Sequence, residues 1–266
     1  MNTSNLRSVS LQPLKPLPER YPFSVPAVRV LKKIDFVSPV TFLLGENGTG
    51  KSTLLEGIAA AAELPCVGRA EVSRDSTLSA ARELGGELRL MWGRRSRRGF
   101  FMRAEDVAGF TLRMRAEQDD LRDAEEDFGR RFTGYARELA QGAVRGQRAA
   151  IERRYGENPD GRSHGEIFLG ILRSRLHPGG LFLMDEPETP LSFSRQLALL
   201  GMIRETVAAG GQFIIATHSP VLAALPEASL LYFRDGSIER AAWDDIDNFS
   251  DMRRFLNGPE AFLRHL

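Results

Sequence analysis

The chain has 266 residues, 42% of them hydrophobic and 27% charged, enough to bury one large core or two modest ones. A formal net charge of +1 gives no electrostatic push toward nucleic acid, anionic membranes or acidic partners. A single cysteine, Cys66, excludes an intrachain disulfide and points to a reducing compartment. No apolar run approaches the ~20 residues that span a bilayer, and the polar N-terminus lacks the apolar stretch of a signal peptide. A cytoplasmic protein without direct membrane insertion is expected.

Residues 1–26 carry Pro13, Pro16, Pro18, Pro22 and Pro26, which remove backbone donors and predict an extended lead-in to one domain over 27–266. Short β-branched and aromatic runs predict strands over 28–36 and 40–44. Between the second strand and a helical pattern over 51–63 lies Gly45-Glu46-Asn47-Gly48-Thr49-Gly50-Lys51-Ser52, a complete G-x-x-x-x-G-K-[ST] phosphate-binding loop. Glycines let successive N–H groups turn inward around phosphate oxygens, and the following helix adds its positive end. Lys51 would reach the β- and γ-phosphates, Ser52 would ligate Mg²⁺, and Thr53 would assist at the α-phosphate.

Residues 87–92 alternate as a strand and 100–102 form a second apolar run, with the basic segment 93–99 between them predicted as a solvated hairpin tip. From about 105 to 160 the sequence is charged and helix-prone, interrupted by Gly129, Gly134, Gly142 and Gly146, and predicts a small helical insertion. Ser163-His164-Gly165-Glu166 then opens a helix to about 175. By itself this is an ordinary N-cap, but its hydroxyl and backbone N–H groups suit a phosphate. Such a site would lie far from the first loop, so that phosphate would arrive with a second chain.

Leu181-Phe182-Leu183-Met184-Asp185-Glu186 is an apolar strand ending in two carboxylates, where open α/β sheets bind ligands. Asp185 suits a Mg²⁺ partner acting through water, and Glu186 a base that polarises the attacking water. Taken alone, the pair could equally cap the next helix, predicted over 192–208. Another buried strand, 212–216, delivers Thr217 and His218, the latter suited to sensing a γ-phosphate. An Asp-Gly hairpin over 230–240 and a short amphipathic helix over 259–266 close the chain.

Phosphate loop, helical insertion, Ser-x-Gly signature, Asp-Glu strand and histidine, in that order, resemble the ABC ATPase superfamily. In particular they resemble a stand-alone bacterial family of AAA/ABC-type ATPases with Ser-His-Gly-Glu where transporters carry Leu-Ser-Gly-Gly-Gln. The resemblance implies an α/β P-loop core, a mixed sheet flanked by helices with a small helical subdomain. It also implies ATP and Mg²⁺ as ligands and a head-to-tail homodimer sandwiching nucleotide, with Ser163, His164, Gly165 and Glu166 facing the partner's ATP. Lys51, Glu186 and His218 would carry the chemistry, Glu186 as base and His218 as switch. Transporters place a glutamine after the next strand, and here Arg103 or Glu105 holds that place. Tyr21 and Phe23 are candidates for stacking on adenine. Two functions stay open: an ATPase that drives a change in an unidentified protein partner, and a non-hydrolysing ATP-dependent binding module. Either would be compatible with a nucleic-acid role in repair or defence, through Arg94, Arg95, Arg97 and Arg98, although net charge gives that role no support.

Overall fold

The computed structural model describes residues 5–11, 16–67, 79–96, 98–155, 164–234 and 236–264. For 105–108, 110–118, 151–155 and 164 it describes the backbone alone. Strand β1 (Leu6–Leu11) lies in the expected N-terminal lead-in. It is extended but not free-standing, because Leu6, Val9 and Leu11 alternate into the main core. The run over 28–36 divides into helix α1 (Pro26–Val30) and strand β2 (Lys33–Asp35), a correction to the single strand expected there. Pro26 opens that helix, where its fixed φ and missing N–H cost nothing.

Strand β3 (Val40–Gly45) leads through the phosphate loop into α2 (Lys51–Ala61), and α3 (Ser79–Glu87) packs against α2. Strands β4 (Leu88–Trp92) and β5 (Gly99–Arg103) follow, but they do not form a hairpin. β4 joins a three-stranded antiparallel sheet in the order β2-β1-β4, while β5 enters a different sheet altogether. The basic segment therefore crosses between two sheets. Burial explains this: Phe100, Phe101 and Met102 are buried on both faces of β5, whereas β4 alternates between buried and exposed.

The helical insertion is a hairpin of α4 (Ala104–Arg131) and α5 (Gly134–Tyr155). Gly129, Gly142 and Gly146 do not break it, contrary to expectation, and the chain turns only around 132–133. Isolated helical glycines cost about 1 kcal/mol each, which a long packed helix absorbs. Glu125 bridges the two helices, accepting from Arg145 at 2.6 Å and Arg148 at 2.9 Å.

Beyond the hairpin come α6 (His164–Arg175), β6 (Leu181–Asp185), α7 (Phe193–Ala208), β7 (Gln212–Ala216) and α8 (Pro220–Ala223). The hairpin of β8 (Ser229–Arg234) and β9 (Ser237–Arg240) leads to α9 (Asp247–Asn257) and the short α10 (Glu260–Leu263). Helix α9 was not anticipated, and among the described residues the closing helix spans only Glu260–Leu263.

The main sheet has the order β5-β6-β7-β3-β8-β9, parallel except for β9. Alternate residues of its strands enter two cores. Leu43, Phe101, Leu183 and Ile214 face α2 and the small sheet, while Phe42, Phe182, Phe213 and Ile215 face α6 and α7. Among the described residues no helix is long and apolar enough to cross a membrane. Phe182 has ring centroids 5.1 Å from Phe100 and 5.0 Å from Phe213, so it joins three neighbouring strands. Truncating Phe182→Ala should destabilise the protein by about 3–5 kcal/mol, seen as a lower urea midpoint.

Candidate functional site

Parallel strands all point their C-terminal ends the same way, so β5, β6, β7 and β3 deliver their last residues to one edge. Arg103 pairs in register with Asp185, Asp185 with Ala216, and Ala216 with Leu43. The phosphate loop leaves that edge from β3, and the carboxylates and the histidine leave it from β6 and β7.

Within the loop, Lys51 is buried and its Nζ donates to the carbonyls of Gly45 and Glu46, both at 2.8 Å. Burial lowers its pKa, against the pull of Glu186, Asp185, Glu188 and Glu46. Thr49 Oγ1 donates to Glu46 O at 2.9 Å, and the Thr49 carbonyl accepts from Ala27 N–H at 3.1 Å. The loop is thus braced by the first turn of α1. Gly50 has φ +99°, and a Cβ there would stand 2.2 Å from Val25 Cγ1, so only glycine fits.

Ser52, in the first turn of α2, donates its hydroxyl to Asp185 Oδ1 at 3.0 Å across 133 residues of sequence. Asp185 is buried, and desolvation pushes its pKa up to about 7, opposed first by the Ser52 hydrogen bond. Glu186 follows at φ +47°, a left-handed conformation that a side chain adopts only when its surroundings enforce it. Its N–H donates to Ala216 O at 2.9 Å, extending the β6–β7 ladder by one bond and aiming the half-exposed carboxylate off the edge.

His218 Nε2 lies 3.7 Å from Glu186 Oε1, and this buried nitrogen has no hydrogen-bond partner among the described residues. Desolvation lowers the His218 pKa, Lys51 lowers it further, and Glu186 opposes both. The imidazole is therefore neutral over more of the pH range than a free one. Its backbone is held by Glu188, whose Oε1 accepts His218 N–H at 2.7 Å. Burial raises the pKa of Glu188, and its bond to His218 is the leading opposing influence. Ser219 completes the anchor. Its Oγ accepts from Val221 N and Leu222 N at 3.1 Å and donates to Gln196 Oε1 at 2.6 Å.

Of the two candidates at the transporter glutamine's position, Arg103 ends β5 and its Nη2 lies 2.6 Å from Glu56 Oε1 on α2, both side chains largely buried. Arginine has no acceptor and so does not coordinate a metal. The side chain of Glu105 lies outside the described residues. Phe23 is buried in the core and unavailable for stacking, whereas Tyr21 is exposed.

Ser163 lies outside the described residues, as do the side chains of Arg97 and His164. Gly165 and Glu166 open α6 beside the loop after Glu186. A Cβ on Gly165 would lie 2.8 Å from Pro190 O and 2.8 Å from Arg195 Cδ. The edge thus collects Lys51, Ser52, Asp185, Glu186 and His218, and the α6 terminus stands apart beside 190–195.

These donors suit a phosphate chain and a divalent cation. Lys51, which donates to its own loop's carbonyls, can exchange them for phosphate oxygens, and the Nε2 of His218, unpartnered among the described residues, can meet another. No cluster of three or more His, Cys, Asp or Glu suited to a metal occurs among the described residues. Ser52 and Asp185 therefore fit Mg²⁺ that keeps water and phosphate oxygens as its other ligands.

Two family models match parts of the chain. One, described as "AAA domain, putative AbiEii toxin, Type IV TA system", matches residues 168–224, and another, an AAA domain, matches 29–63. No curated protein matches the sequence. Among solved structures, the chain is similar to MJ1267, an ATP-binding cassette of an ABC transporter. Identity is 17%, the TM-score is 0.50, and the match covers 94% of this chain and 96% of that one. It is also similar to a nucleotide-free ATP-binding cassette from an ABC transporter, at 14% identity and TM-score 0.48 over 98% and 99% of the two chains. The fold is that of a P-loop ABC-type ATPase, a mixed sheet flanked by helices.

Asp185 gives the site a pH signature. Its folded pKa of about 7 exceeds the ordinary 3.8, so the folded protein keeps a proton that the unfolded chain has lost in between. Stability from this group falls as pH rises from about 4 to about 7 and stays low above that. In metal-free, nucleotide-free protein, Asp185→Asn should match the parent near pH 4. At pH 8 it should be more stable by up to about 4 kcal/mol, at about 1.4 kcal/mol per pKa unit. Urea unfolding at the two pH values measures the difference.

Proposed function

We propose that the protein is an ABC-type ATPase of the cytoplasm that binds ATP with Mg²⁺ and hydrolyses it in a head-to-tail, nucleotide-sandwiched homodimer. Closing and reopening of that dimer would drive a change in a protein partner. The observation that carries this reading is the convergence on one sheet edge of Lys51, the Ser52–Asp185 pair and the Glu186–His218 pair.

The phosphates bind on the N–H groups of 45–53, with Lys51 transferring its donors from the carbonyls of Gly45 and Glu46 to β- and γ-phosphate oxygens. Bound Mg²⁺ supplies positive charge against the phosphate oxygens, held by Ser52 and, directly or through water, by Asp185. Glu186 accepts a proton from the attacking water, whose oxygen bonds to the γ-phosphorus as the bond to the β–γ bridging oxygen breaks. ADP and phosphate result. Neutral His218 is 3.7 Å from Glu186 Oε1, so it can orient that carboxylate and the γ-phosphate together.

A dimer would let the Gly165 end of α6, which adjoins Pro190 and Arg195, meet a partner's phosphates. The resemblance of Ser163-His164-Gly165-Glu166 to a signature sequence supports its use on the partner's ATP.

Glu186→Gln keeps the shape of the side chain and removes the base. ATP turnover should fall at least about 100-fold, while light scattering should show an ATP-dependent dimer retained or strengthened. Parent-level turnover in the variant would remove Glu186 from the chemistry. An ATP-dependent dimer with no turnover in either protein would identify a binding module instead.

A further inference from the structure

We infer that Arg195 is a positioning residue for the partner-facing signature: it holds the Glu166 carboxylate against its own chain, so that no free negative charge meets the incoming triphosphate. This rests on the dimer reading above.

Glu166 is the third residue of α6, in the turn whose N–H groups have no partner within the helix. A carboxylate in that turn is drawn to the same N–H groups as a phosphate, and it repels the phosphate as well. The structure turns it aside. Arg195, in the first turn of α7, donates from Nη2 to Glu166 Oε1 at 2.6 Å. Glu166 accordingly lines the groove between α6 and α7 with Leu169, Gly201 and Met202.

The arginine stem and Pro190 O also crowd the place a side chain would take at Gly165, each 2.8 Å from a Cβ built there. The first turn of α6 packs against that carbonyl and Arg195, and a side chain at 165 would displace one or both. Arginine suits this task because it is charged at every working pH and its planar fork fixes the carboxylate's direction. The pair is partly exposed, at 29% and 49%, and pairs of that kind add little to stability. Its consequence is where it puts charge.

The test uses the full chain in a Glu186→Gln background, with ATP-driven dimerisation followed by sedimentation. Arg195→Ala should weaken dimerisation at least tenfold while monomer affinity for a fluorescent ATP analogue stays within twofold. Adding Glu166→Gln to Arg195→Ala should restore dimerisation to within threefold, although the ion pair is still absent. Were the pair only a strut, the double variant would stay as weak as the single one, and that result overturns the inference. Unchanged dimerisation in Arg195→Ala overturns it too. Arg195→Gln, closer in shape, serves the same comparison should the alanine variant not fold. If Glu186→Gln alone fails to dimerise with ATP, the dimer reading falls and this inference with it. If it dimerises and the Arg195 variants are indifferent, only this inference falls.

Discussion

Asp185 ends a strand whose other residues, Leu181 to Met184, are fully buried, so its carboxylate has lost most of its water before any ligand arrives. A desolvated anion is costly unless something nearby answers it. Ser52 answers with a hydroxyl, and Arg103 stands in register on the next strand. Glu56 and Glu186 push the other way, and the balance leaves the Asp185 pKa near 7. The edge therefore holds Asp185, Glu186, Glu188 and Glu46 around one buried lysine. A triphosphate adds more negative charge to such a place, and only a cation arriving with it reconciles the two. The proposed use of a divalent cation thus has support in the electrostatics of this edge as well as in the sequence motif.

The loop after Glu186 connects what the sheet edge alone would leave separate. Glu188 holds the backbone of His218, Pro190 touches the position of Gly165, and Arg195 binds Glu166. Within eight residues the chain contacts its own histidine and the start of α6. The left-handed φ of Glu186 begins this loop, turning the chain sharply from strand into contact with both. A strained residue at that point is economical, since the same turn aims the carboxylate off the edge and launches the connecting loop.

Legibility in the sequence followed the range of the interactions. The phosphate loop is local: eight consecutive residues, a strand before and a helix after, are all a reader needs. The same holds for Asp185 and Glu186, announced by the apolar run ahead of them. Glu188, Arg195 and Glu56 gave no signal, because their partners lie far along the chain, 30 residues for Glu188–His218 and 29 for Arg195–Glu166. Sheet membership was hidden for a related reason. Alternation identifies β4 and β5 as strands but says nothing of their partners, so two neighbours separated by a basic turn read as a hairpin. The unbroken apolar run Phe100–Met102 was the available clue that β5 belongs inside a parallel sheet. At the N-terminus, β-branched residues in 28–36 outweighed Pro26, although proline at a first helical position is the stronger local constraint.

The helical hairpin is tied at its entry to α2, the helix that carries Ser52. Arg103 is the last residue of β5 and immediately precedes α4, and its side chain is clamped to Glu56 one turn along α2 from Ser52. After α5 the chain returns at α6, whose first turn is seated on Pro190 and Arg195. Both hairpin helices pack on α6. Two polar contacts flank this packing. One of these, Arg103–Glu56, bears on the helix that presents Ser52. The other, Glu166–Arg195, bears on the loop that leaves Glu186. The two ion pairs thus link the ends of the hairpin's neighbourhood to Ser52 on one side and to the chain that leaves Glu186 on the other.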